Sequence, residues 1–227
     1  MNPSLDKDVI CATFRKEGKV RVKNFLNRDD AGKLLLCLHN DIAYNLTLVS
    51  NDKYQSYTEA QWRDMEANKK NTLNHEVMTN AAKGIGFVYG RHAVKADESN
   101  ELLRSFYDWI NSEAVLAWAR DVSGFNEIKA ASVQATRFMP GEFLTRHQDK
   151  VDSEGRKLAF VVNLPPSWHP DWGGLLQFYQ TDGTPTESWS PEFNSLSLFD
   201  VKHIHSVTYV APFALQPRYA ISGWFTT

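Results

Sequence analysis

Residues 131–149 read A-S-V-Q-A-T-R-F-M-P-G-E-F-L-T-R-H-Q-D, two strand-like runs around a Pro-Gly turn that close on a His-x-Asp pair. Successive strand residues point to opposite faces. His147 and Asp149 therefore share a face, with Gln148 on the other, and can aim an imidazole nitrogen and a carboxylate oxygen at one metal ion. The same period of two continues to the end of the chain, through K-L-A-F-V-V-N-L, L-L-Q-F-Y, S-L-S-L-F, H-S-V-T-Y-V and R-Y-A-I-S-G-W-F. These segments are short, rich in β-branched and aromatic residues, and separated by Pro, Gly, Asp or Ser clusters, as strands are. The run W-H-P-D-W-G-G (168–174) reads as a hairpin turn before one of them.

Upstream the period is helical. K-V-R-V-K-N-F-L gives a short strand running into Asn27, a candidate cap for a helix with Asp29 and Asp30 in its first turn. Ala31, Leu34, Leu35 and Leu38 form its apolar stripe. Leu103, Phe106, Tyr107 and Ile110 form a second stripe, and Ser112 is placed to cap a third helix through Val115, Ala119 and Val122 that ends near Gly124. Residues 42–100 mix strand-like I-A-Y-N-L-T-L-V-S, helix-like E-A-Q-W-R-D-M-E-A and polar N-K-K-N-T-L-N-H without a dominant period. Helices first and strands after predict an α+β chain with a C-terminal barrel or double-sheet sandwich. We expect one domain over 1–227: helical support and a candidate lid in 1–128, the β core in 129–227.

The 227 residues carry 25 basic and 27 acidic side chains, a net charge of −2. This gives no reason to expect sequence-independent nucleic-acid binding. Cys11 and Cys37 are too few for a disulfide framework and lack metal-site spacing. The N-terminus shows no basic run followed by an apolar one, and no segment reaches the roughly 18 apolar residues of a membrane span. A reducing cytoplasm is the expected location, with no membrane partner.

Two ligands do not make a metal site. A third donor is offered by H-I-H at 203–205, where both histidines would share a face and alternation alone does not choose between them. Arg218 opens an apolar and aromatic strand, where an inward guanidinium needs a bidentate anionic partner. His39, His75, His92 and His169 read as ordinary surface or loop residues. Two histidines and a carboxylate suit a non-haem Fe(II) oxygenase. They also suit a zinc hydrolase, which would leave Arg218 without a task, or a catalytically silent β domain that only binds.

From about Ser132 to Phe225 the order and spacing of these motifs resemble the 2-oxoglutarate- and Fe(II)-dependent dioxygenases of the prolyl hydroxylase type, including the hypoxia-factor and ribosomal-protein prolyl hydroxylases. The motifs are R-F-M-P-G-E-F-L-T-R-H-Q-D, G-R-K-L-A-F-V-V-N-L-P-P-S-W, W-G-G-L-L-Q-F-Y, P-E-F-N-S-L-S-L-F, H-S-V and R-Y-A-I-S-G-W-F. The helical segment 106–124 is similar to the same family's N-terminal support. The resemblance implies a double-stranded β-helix, or jelly roll. It places iron on His147, Asp149 and His205, the last chosen by its H-S-V context, and the distal carboxylate of 2-oxoglutarate on Arg218. It further implies Fe(II), 2-oxoglutarate and O2, with ascorbate as an accessory reductant. Where relatives often carry tyrosines near the co-substrate, this chain has Phe138 and Asn163, whose amide can still donate to a carboxylate. The expected substrate is a prolyl residue in a protein or peptide; the alternatives are free proline or another small molecule, and a non-catalytic binding module. Residues 45–92 are the expected lid or groove, or else an ordered helical cover.

Overall fold

The structure is a computed structural model that describes residues 1–50 and 53–227. In chain order its elements are α1 (Lys7–Glu17), β1 (Lys19–Val22), α2 (Arg28–Asn40), β2 (Asn45–Ser50), β3 (Lys53–Tyr57), α3 (Glu59–Asp64), α4 (Ala67–Ala82), β4 (Phe87–Val94), α5 (Glu101–Ile110) and α6 (Glu113–Ser123). Then come β5 (Ala130–Phe138), β6 (Phe143–His147), β7 (Arg156–Asn163), β8 (Leu176–Tyr179), β9 (Pro185–Trp189), β10 (Ser195–Asp200), β11 (Ile204–Val207) and β12 (Arg218–Thr226).

Helix ends follow local chemistry. Asp6 caps α1 by accepting from the N–H groups of Asp8 and Val9, and Asn27 caps α2 through Asp29 N–H. Both satisfy amides that a helix start leaves without partners. Ser112 departs from expectation: its hydroxyl donates to the Trp109 carbonyl, and α6 starts with no side-chain cap. Gly124, at φ 77°, ends α6 in the left-handed conformation.

All strand pairings are antiparallel, in the order β1-β10-β7-β12-β5-β4-β6-β11-β8-β9, with β2 on β4 and β3 on β2. The order interleaves distant segments, and the sheet curls into a double-stranded β-helix. Strand β4 closes it at one side, pairing β5 at Gly90↔Arg137 and β6 at Phe87↔Leu144.

Strand alternation sorts β12 into two faces. Tyr219, Ile221 and Phe225 join the apolar layer under α2, α5 and α6, together with Leu38, Leu103 and Ile110. Arg218, Ser222 and Trp224 face the barrel interior. Each fully buried leucine or isoleucine of the helical layer contributes about 1.5–3 kcal/mol, so this layer anchors the sheet while its other face is left free to carry polar chemistry. Among the described residues no helix is long and apolar enough to cross a membrane.

Residues 1–128 contain more strand than the sequence pattern conveys. β1 and β4 extend the barrel, and β2 and β3 form a hairpin on it, so residues 42–100 resolve into a hairpin, two helices and a barrel strand. The segment 168–174 is not a hairpin turn. It holds a single 3-10 turn, Pro170–Trp172, on a crossover from β7, which pairs β10 and β12, to β8, which pairs β9 and β11. Gly173 there forms a bridge with Val210, at φ 66°, and a Cβ would lie 2.0 Å from the Tyr209 carbonyl oxygen.

Candidate metal centre and anion pocket

His147 and His205 are register partners on β6 and β11, and their ring centroids lie 4.2 Å apart. Asp149, two residues beyond the end of β6, is fixed by its N–H donating to the Val201 carbonyl at 3.1 Å. Its Oδ1 lies 3.4 Å from His147 Nε2 and its Oδ2 3.4 Å from His205 Nε2. Donor atoms of the three residues all lie within 4.8 Å of one another. Each ring's Nδ1 is held by a carbonyl, of Thr145 for His147 and of His203 for His205, both at 2.9 Å. A carbonyl only accepts, so Nδ1 carries the proton and Nε2 presents its lone pair to the centre.

Burial opposes the Asp149 carboxylate, but the two imidazoles outweigh it and hold the group below its ordinary range. Burial likewise opposes charge on His147, and the adjacent carboxylate raises its pKa despite this. Two imidazole nitrogens and one carboxylate, inward-facing and poor in other protein partners, fit a divalent iron with open positions.

His203 lies apart from this cluster. It precedes β11, in a turn where a period of two does not operate, and its ring packs on Phe178 at 5.7 Å beside Gly18. His39 reaches the Tyr219 hydroxyl, His92 pairs with the buried Glu98 at 2.8 Å, and His169 lies beside Asp171. Neither these nor His75 joins the triad.

The triad opens on a cavity of about 210 Å³ that Arg218 also lines. Arg218 is 2% exposed, and burial draws its pKa down to about 10. Its Nη2 donates to Asn163 Oδ1 at 3.1 Å, Nε has no partner, and among the described residues no carboxylate pairs with it. A buried cation without a counter-charge is costly, which suits the pocket to an anion. A guanidinium has donors only, so the Asn163 amide must turn its oxygen toward Arg218. Its amino group faces the Ser195 and Ser197 hydroxyls at 3.3 and 3.5 Å. Asn163 thus holds Arg218 through its amide oxygen and is itself held by the two serines. Phe138 supplies an apolar surface, its ring 5.4 Å beneath the guanidinium.

Sequence reasoning missed several lining residues. Gln134 accepts from Arg91 and donates to Ser222 at 3.2 Å, linking the three neighbouring strands β4, β5 and β12. Trp224 stacks under the Arg156 guanidinium at 3.6 Å. Counting by twos from Arg218 would have placed Ser222 and Trp224 in the cavity. Tyr89 carried no such signal, because β4 itself went unread.

Residues 133–226 match the sequence profile of the 2OG-Fe(II) oxygenase superfamily. A stretch of 116 residues, 48% of this chain, is 34% identical to the prolyl 3-hydroxylase OGFOD1 of Mus musculus, and the match spans 21% of that protein's length. The fold is similar to that of a prolyl-4-hydroxylase from Pseudomonas putida, with a TM-score of 0.66 and 16% identity, covering 97% of this chain and 98% of that one. It is similar also to a prolyl hydroxylase from Trichoplax adhaerens solved in complex with a hypoxia inducible factor oxygen degradation domain peptide fragment. There the TM-score is 0.65 and identity 19%, over 97% of this chain and 88% of that one. These two likenesses establish the jelly-roll fold.

Proposed function

From the 2OG-Fe(II) oxygenase match of residues 133–226 we propose that the chain is an Fe(II)- and 2-oxoglutarate-dependent dioxygenase that hydroxylates a prolyl residue in a protein or peptide. The observation that carries the proposal is the presence, in one cavity, of a His-Asp-His cluster and a buried arginine with no counter-charge. The cluster alone would serve zinc as well. Arg218 has a task only if a carboxylate enters.

His147, Asp149 and His205 would hold the iron by Nε2, a carboxylate oxygen and Nε2. Iron with 2-oxoglutarate and O2 supplies an oxidant able to hydroxylate a C–H bond, with succinate and CO2 released. The protein's own contribution is binding, orientation and exclusion of water. Arg218 would pair with the distal carboxylate of 2-oxoglutarate, with the Asn163 carbonyl fixing the direction of the fork. Phe138 keeps water from beneath that ion pair.

A peptide, as opposed to free proline, is supported by the wall beside the cavity. Phe87 and Tyr89 on β4 line it, and the half-exposed Tyr54 of β3 lies 6.2 Å from the Phe87 ring. Aromatic surface thus continues from the cavity wall to the exposed Tyr54 on β3, where more of a peptide than its prolyl residue could be met. The names of the mouse and Trichoplax proteins point the same way. The test is mass spectrometry of proline-containing peptides and lysate proteins after incubation with iron-loaded enzyme, 2-oxoglutarate and air. A gain of 16 Da on a prolyl residue is expected; efficient hydroxylation of free proline with no modified peptide or protein would overturn the substrate assignment.

A further inference from the structure

Tyr89 stands in the cavity wall on β4, and its ring stacks on Phe138 with centroids 4.8 Å apart and planes 15° from parallel. Phe138 in turn lies under the Arg218 guanidinium. The same cavity is bounded by Asp149 and the two histidines. Arg218, the triad and the stacked Tyr89 and Phe138 rings therefore line one cavity.

The polar groups along this path are mostly committed. Thr136 donates to the Ala220 carbonyl, Gln134 is held between Arg91 and Ser222, and Asn163 is held between Arg218 and two serines. The Tyr89 hydroxyl is different. Among the described residues it has no hydrogen-bond partner. Burial raises its pKa, so the group stays a neutral phenol that can donate. Tyr89 is partly exposed and lines the cavity, where its phenolic O–H can donate to an entering acceptor.

We propose that Tyr89 is a co-substrate-binding residue whose hydroxyl donates to an oxygen of the dicarboxylate held between Arg218 and the His147–Asp149–His205 cluster. The proposal rests on the dioxygenase reading of the site and adds a third contact to it, supplied by a strand outside the 133–226 core. With Phe138 offering only a ring at the adjacent register position, the hydroxyl comes from the neighbouring strand. A hydrogen bond to a charged acceptor is lost in Tyr89→Phe, while the ring that stacks on Phe138 is kept.

The measurement is direct binding of 2-oxoglutarate, without peptide, to the full chain loaded with Mn(II) under anaerobic conditions, by titration calorimetry. Tyr89→Phe is expected to raise the 2-oxoglutarate Kd by on the order of tenfold with Mn(II) affinity unchanged. Adding Phe138→Tyr to that variant restores a phenol at the stacked position and is expected to recover much of the loss. An unchanged Kd in Tyr89→Phe overturns the proposal alone. So does a result in which only Tyr89→Ala weakens binding, because that assigns the effect to the ring, and so does a variant altered only in its KM for peptide. A parent chain that binds metal but no 2-oxoglutarate overturns the dioxygenase reading and the proposal together.

Discussion

His205 is 4% exposed and offers only Nε2 to the cavity, since Nδ1 is tied to the His203 carbonyl. His147→Ala and His205→Ala are each expected to abolish iron binding and turnover, and His203→Ala to keep both, in metal titrations run beside succinate assays. Wild-type iron affinity in His205→Ala would refute the assignment. Arg218→Ala removes a desolvated guanidinium and is expected to weaken 2-oxoglutarate binding by about 2 to 5 kcal/mol, part of it the cost of a carboxylate left unpaired. An unchanged 2-oxoglutarate Kd in the folded variant contradicts this role. Glu142 gives a pH signature. Burial pushes its pKa up to about 7, although the Met139 N–H donates to it at 2.8 Å. Between pH about 4.5 and 7 the folded chain keeps this proton while the unfolded chain has lost it, so Glu142 makes stability fall as pH rises through that window. Glu142→Gln keeps an acceptor for Met139 and is expected to flatten that part of the stability profile, measured by thermal unfolding at several pH values; an identical slope in the variant argues against it.

Strands and turns hold these residues in place, and Gly173 shows how tightly. At φ 66°, and bridged to Val210, it has no room for a Cβ against the Tyr209 carbonyl. Gly173→Ala is expected to cost at least about 1–3 kcal/mol from backbone strain, read as a lower denaturant midpoint with an unchanged m-value; a midpoint equal to that of the parent contradicts it. How much the sequence conveyed varied by element. β5, β7 and β12 were legible because one face packs under the helices and the other lines a cavity, which preserves a period of two. β9 was not, since only Trp189 of its residues is buried. β4 was obscured by Gly90, Arg91 and His92 in mid-strand, and α4 by a stripe with only Leu73 and Val77 buried. α1, which buries Ile10 and Phe14, was hidden in a polar start. The triad was readable from a two-residue spacing plus a family resemblance. The direction of the Asn163 amide and the place of Tyr89 depend on cross-strand neighbours, which no local pattern encodes.

At the scale of the whole molecule, an apolar helical layer on one face of the sheet leaves the barrel interior free for a cavity lined by both the His-Asp-His cluster and a buried cation. The donor set of the cluster suits a metal ion, and the buried guanidinium suits an anion. The most direct test of a joint role is succinate formation from 2-oxoglutarate by the purified chain, loaded with Fe(II) anaerobically and then exposed to O2. Succinate that requires both Fe(II) and O2, rises with a prolyl peptide and disappears in His205→Ala is the predicted result. A folded, iron-loaded chain that forms no succinate with or without peptide, or forms it equally without iron, would contradict the proposed dioxygenase.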